Sequence, residues 1–222
     1  YSRDTRCPLI VHLHGGGNGT DTAMSLAAGA GDLRAFSTSA GGDQFIWMAA
    51  VVRVPGSFHA WAMEGNALDM IDSIREVSRL FRVDHTRVYL AGTSMGGGGV
   101  ATLSYVIPHA FAAHAPVVGY YWNELYPAPD LTGIYFRVLA GELDTPPGQP
   151  FDRLGLARQF ATQTSAAGAS VDLVEMPGVG HSYPFGEVGR TNAFFLTHSR
   201  PAPTSWEAVR AQADAILPLF AM

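Results

Sequence analysis

Apolar residues in this chain gather into six short runs of strand length, set apart by longer amphipathic stretches. Pro8-Leu9-Ile10-Val11-His12-Leu13 is the first, and it ends at Gly15-Gly16-Gly17. Phe45 to Val54 is the second, closed by Pro55-Gly56, and Arg87 to Ala91 is the third, stopped by Gly92. Ala115 to Val118, Tyr135 to Ala140 and Val171 to Met176 complete the set. Runs that do not alternate with polar residues predict strands buried on both faces, as in a parallel sheet.

Helical spacing occupies several of the intervals. Ala67, Ile71, Ile74, Val77 and Phe81 share one helical face. Val100 to Val106 follows a glycine run and stops before Pro108. Leu154 to Ala167 predicts a helix ended by Gly168. Ser205 to Phe220 predicts the last, with Trp206, Val209, Ala213, Ile216 and Phe220 on one side and Thr204 with Glu207 as a capping box. The order β-β-α-β-α-β-β-α-β-α predicts an α/β fold with a mainly parallel sheet and one domain over residues 1–222.

Composition narrows the chemistry. The 222 residues are 47% hydrophobic, too apolar for a disordered chain. The longest apolar run, Phe45 to Val52, is far short of the roughly 20 residues of a membrane span. Fourteen basic residues face 19 acidic ones, without a basic stripe, so nucleic acid is not an expected partner. All 14 basic residues are Arg, which excludes Schiff-base, Ser-Lys and P-loop chemistry. Cys7 stands alone, so no internal disulfide or thiolate cluster can form. The sequence opens at Tyr1, and an N-terminal segment is expected to have been removed, which is compatible with a secreted or periplasmic protein.

Ligands of parallel sheets bind at the C-terminal ends of the strands, so the residues after each run carry the functional signal. Gly92-Thr93-Ser94-Met95-Gly96 is G-x-S-x-G between a strand and a helix, a tight turn that exposes the serine at a helix N-terminus. His14-Gly15-Gly16-Gly17 supplies a backbone able to turn its N–H groups toward a developing oxyanion. Gly141-Glu142-Leu143-Asp144 puts a carboxylate past the fifth run, and Pro177-Gly178-Val179-Gly180-His181 puts a histidine past the sixth. Serine, acid and histidine thus occur in the order Ser94, Asp144, His181, each just beyond a strand.

Other histidines read differently. His12 and His14 form H-x-H but lack a third ligand at metal-site spacing, so no metal is expected. His114 opens a buried strand and reads as a core histidine. His59 and Trp61 follow the turn after the second run and are candidates for lining a substrate pocket.

In the order of these three residues the chain resembles the α/β-hydrolase superfamily. Val83-Asp84 and Arg87-Val88-Tyr89 leading into Gly-Thr-Ser-Met-Gly-Gly, then Phe111-Ala112-Ala113 and Pro-Val-Val-Gly, are similar to the serine esterases grouped as predicted peptidases, polyhydroxybutyrate-depolymerase-like enzymes and feruloyl esterases. The resemblance spans about residues 8–185. It implies an α/β-hydrolase fold whose N-terminal edge strands are short or missing, because only seven residues precede the first run. Gly98 stands where these relatives often carry an aromatic residue.

The expected activity is carboxylic-ester hydrolysis through an acyl-enzyme. Ser94 is the nucleophile, His181 the base, Asp144 its orienting acid, and the N–H groups of Met95 and Gly16 the oxyanion donors. No cofactor is required. The expected partner is a small-molecule or polymer-linked ester: short-chain, aromatic-acid, acetyl-sugar or polyester. A peptidase or amidase of the same fold, or an acyltransferase, is the alternative.

Overall fold

Among the described residues six strands, all parallel, form a single sheet. The computed structural model describes residues 5–16, 22–52, 60–121, 128–145 and 152–220. The strands are β1 (Cys7–Leu13), β2 (Ile46–Ala50), β3 (Val83–Thr93), β4 (Ala113–Val117), β5 (Tyr135–Gly141) and β6 (Ser170–Met176), and they lie in the order β2-β1-β3-β4-β5-β6. Each coincides with one of the six apolar runs. β3 is longer than its run because Val83 pairs with Cys7, and a register shift then lets Val88 pair with Leu9. Among the described residues no strand precedes β1, and β2 is one edge of the sheet.

Helices cover both faces. α2 (Glu64–Leu80), α3 (Met95–Val106), α4 (Arg153–Ala166) and α6 (Trp206–Ile216) pack on one side, and α1 (Thr22–Ser37) and α5 (Phe185–Leu196) on the other. Alternate residues of β1 show why two layers are needed: Leu9, Val11 and Leu13 enter the core under α2, α3 and α6, while Ile10 enters the opposite cluster with Tyr89 and Phe195. No described helix is long and apolar enough to cross a membrane.

Two helices are absent from the sequence expectation, for a physical reason in each case. α1 is rich in Ala and Gly, so apolar periodicity is weak. α5 buries Glu187, Val188, Thr191, Asn192 and Phe195, a helical face built largely from polar residues. Those groups are paired. Arg137 donates to Glu187 at 3.0 Å, and the Asn192 amide donates to Ser39 Oγ at 2.9 Å. The α6 cap is also corrected by one residue. Ser205 Oγ, not Thr204, accepts the Ala208 N–H at 3.1 Å. Phe81, expected on the buried face, lies past the end of α2 and is exposed.

Close approach, more than propensity, fixes the start of α3. A Cβ on Gly96 would lie 1.9 Å from the Leu13 carbonyl oxygen of β1. Only a residue without a side chain lets the helix seat there. Gly96→Ala is therefore expected to destabilise by at least about 2 kcal/mol. Gly31→Ala, on an open stretch of α1, should gain up to about 1 kcal/mol. Urea unfolding of the two variants checks this contrast.

His114 is fully buried and stacks on Phe136 at 4.8 Å. Burial, with Arg200 contributing, pushes its pKa from the ordinary 6.5 down to about 3. The folded state therefore binds no proton where the unfolded chain does. Stability from this residue is complete above about pH 6.5 and falls by about 1.4 kcal/mol per pH unit below it. A His114→Leu variant should show a shallower loss between pH 6.5 and 4 in the same unfolding assay.

Candidate active site

Ser94 occupies the turn between β3 and α3 with φ 59° and ψ −116°, a conformation that L-residues rarely adopt. Such strain costs on the order of 1–3 kcal/mol and needs its surroundings to hold it. Two backbone bonds do so: the Ser94 N–H donates to Val117 of β4 at 2.9 Å, and its carbonyl accepts from Gly98 at 3.0 Å. Gly98 is itself constrained, since a Cβ there would meet the Tyr120 carbonyl oxygen at 2.8 Å. That contact leaves no room for the aromatic residue that the resemblance implies at this position.

The loops after β5 and β6 are knitted together by their backbones. Leu143 N–H donates to Val179 at 2.8 Å, and Glu142 N–H donates to Met176 at 3.1 Å. The Glu142 carboxylate accepts the Gly178 N–H at 2.8 Å. This lacing brings Asp144 and His181 to one place. His181 Nδ1 lies 2.9 Å from each Asp144 oxygen, and its Nε2 lies 2.7 Å from Ser94 Oγ. Asp144 is 2% exposed, whereas the His181 side chain is 35% exposed. The structure thus brings Ser94, Asp144 and His181 into one line from a buried carboxylate to an accessible hydroxyl. An imidazole held this way can take a proton from the serine while the carboxylate fixes its tautomer.

Arg153 was not singled out by sequence reasoning. Its Nη1 donates to Asp144 Oδ1 at 2.6 Å and lies 2.8 Å from His181 Nδ1. Its Nη2 donates to the Tyr120 hydroxyl, and the guanidinium carbon lies 4.4 Å from the centre of that ring. One signal was available. Arg153 is the first residue of α4, where a cation opposes the helix dipole and calls for a compensating anion.

The glycine segment after β1 sits directly beside the serine. A Cβ on Gly15 would fall 3.2 Å from the Ser94 Cβ. The buried His14 ring holds this segment: Nδ1 donates to the Gly15 carbonyl at 2.7 Å, and Nε2 accepts the Val52 N–H at 3.3 Å. Accepting the Val52 N–H requires a neutral ring, and burial lowers the His14 pKa in the same sense, against the opposing pull of the Gly15 bond. Met95, the first residue of α3, carries one of the unpaired N–H groups of a helix start. His12 Nε2 is 2.8 Å from Asp32 of α1, and no group of three metal-ligating side chains occurs among the described residues.

Trp61 requires a correction. It is fully buried, packs edge-on against His14 and donates its indole N–H to the His14 carbonyl at 3.1 Å. Trp61 therefore supports the glycine segment from beneath and presents no face to a substrate. His59 lies outside the described residues.

Solved structures share this architecture. A thermostable esterase matches with a TM-score of 0.66 at 21% identity, over 90% of this chain and 57% of its own. This chain therefore spans little more than half of that protein's length. A phospholipase/carboxylesterase from Dyadobacter fermentans matches at 0.62 and 17% identity, over 88% of this chain and 93% of its own. A Bacillus cereus carboxylesterase matches at 0.58 and 13% identity, over 88% and 90%. The chain has the α/β-hydrolase fold. In this hydrolase fold Ser94 occupies the strand-to-helix turn, and the acid and histidine lie on the loops beyond later strands. No family model matches the sequence, and neither does any curated protein sequence.

The support that Trp61 gives to this hydrolase fold is measurable. Trp61→Phe keeps most of the buried volume but leaves the His14 carbonyl unpaired. Stability should fall by about 1–3 kcal/mol in urea unfolding.

Proposed function

We propose that the chain is a serine carboxylic-ester hydrolase. The observation that carries this reading is the 2.7 Å contact between His181 Nε2 and the hydroxyl of a serine in a strained turn. Ser94 Oγ attacks the ester carbonyl carbon while His181 Nε2 accepts its proton. The N–H groups of Met95 and Gly16 donate to the oxyanion of the tetrahedral intermediate. The intermediate collapses, the C–O bond to the alcohol breaks, and His181 returns the proton to the departing oxygen. Water then attacks the acyl-Ser94 carbonyl, gives its proton to His181, and the carboxylic acid leaves as Ser94 is restored. Asp144 orients the imidazole and stabilises its cationic form. The esterase and carboxylesterase names of the structural neighbours support ester over amide chemistry. Short-chain, aromatic-acid, acetyl-sugar and polyester-end esters are the substrate classes to compare.

A fluorophosphonate should add once, on the peptide containing Ser94, and labelling that survives Ser94→Ala would overturn the assignment. With p-nitrophenyl acetate, kcat/KM should rise with pH through one ionisation and flatten toward pH 8. His181→Ala should lower turnover by on the order of 10⁴-fold or more. Asp144→Asn should cost far more than Glu142→Gln, since Gln keeps an acceptor for the Gly178 N–H.

A further inference from the structure

A buried carboxylate beside an imidazole has an electrostatic consequence. With no other partner, Asp144 would favour the cationic form of His181, and an imidazolium cannot take the serine proton. Here the carboxylate already has a permanent counter-charge. Arg153, with its side chain 9% exposed, holds Asp144 Oδ1 at 2.6 Å. Protonating His181 would then place a second cation 2.8 Å from the guanidinium nitrogen, around a single anion. In the productive tautomer both N–H groups, one from Arg153 and one from His181, converge on Asp144 Oδ1.

We propose that Arg153 is a positioning residue that fixes the Asp144 carboxylate and, as its permanent counter-charge, keeps His181 available as a base. It acts on the reaction only through Asp144 and His181, and it rests on the serine-hydrolase reading. The guanidinium is well suited to the task because its two ends are both anchored. Nη1 grips Asp144 beyond β5, and Nη2 grips Tyr120 beyond β4. The carboxylate cannot swing away, and both its oxygens stay 2.9 Å from His181 Nδ1. Acids on the adjoining elements have other partners. Asp152 caps α4 by accepting the Gly155 N–H, Glu142 accepts the Gly178 N–H, and Glu187 pairs with Arg137 and Arg190. Among the described residues, Arg153 and Asp144 are thus the charged groups shown to meet His181.

The test compares wild type, Arg153→Lys and Arg153→Met by two readouts: the acid limb of kcat/KM with p-nitrophenyl acetate, and the NMR titration of the His181 ring nitrogens. Removing the charge in Arg153→Met should move both midpoints up by about one pH unit. Arg153→Lys, which keeps the charge but loses the Tyr120 anchor, should move them by about half a unit, between wild type and Arg153→Met. A folded Arg153→Met protein with wild-type midpoints would overturn the proposal. If circular dichroism shows that this variant does not fold, Tyr120→Phe decides. It loosens the anchored guanidinium and should raise the midpoints by about half a unit. Unmoved midpoints in that variant would equally overturn the proposal. Ester hydrolysis that persists in Ser94→Ala would defeat the hydrolase reading while leaving the NMR comparison intact.

Discussion

The seating of α3 against the end of β1 is the contact on which the site depends. Because Gly96 carries no side chain, the first turn of the helix comes to rest against the Leu13 carbonyl, and the preceding residue is forced into a left-handed bend. That bend lifts Ser94 above the sheet. The same proximity brings Gly15 against the serine, so the glycine segment and the serine are organised by one packing event. A larger residue at position 96 would separate the helix from the strand and release the strain that presents the hydroxyl.

Around this contact several buried polar side chains are tied into networks. His14 bonds through both ring nitrogens, and Trp61 fastens the carbonyl beside it. Asp144 is compensated by Arg153 and His181, and Arg153 in turn by Tyr120. Such networks are costly when incomplete and rigid when satisfied. Rigidity serves a site whose three side chains come from separate loops, because each must stay within hydrogen-bond reach without the aid of a common element.

The strands were legible because parallel strands are buried on both faces and so appear as unbroken apolar runs. The serine, acid and histidine were legible because each stands just beyond such a run, beside glycines that mark a turn. Physical causes explain what escaped. α5 buries a face of Glu187, Thr191 and Asn192, and hydrophobic periodicity cannot register a buried face made of paired polar residues. Arg153 meets Asp144 across nine residues and a change of element, a pairing that spacing does not encode. Trp61 was misread because an aromatic residue after a turn looks the same in sequence whether it faces a ligand or props up the loop above it.

The strand order carries a consequence for how the molecule is made. β3 is laid against the far side of β1, and β4, β5 and β6 are then each laid against the strand before them. Synthesis from the N-terminus therefore extends the sheet in one direction. The Ser94 N–H donates to Val117 of β4, whereas Asp144 and His181 stand beyond β5 and β6. The imidazole comes within reach of Ser94 only once the outermost strand, β6, is in place.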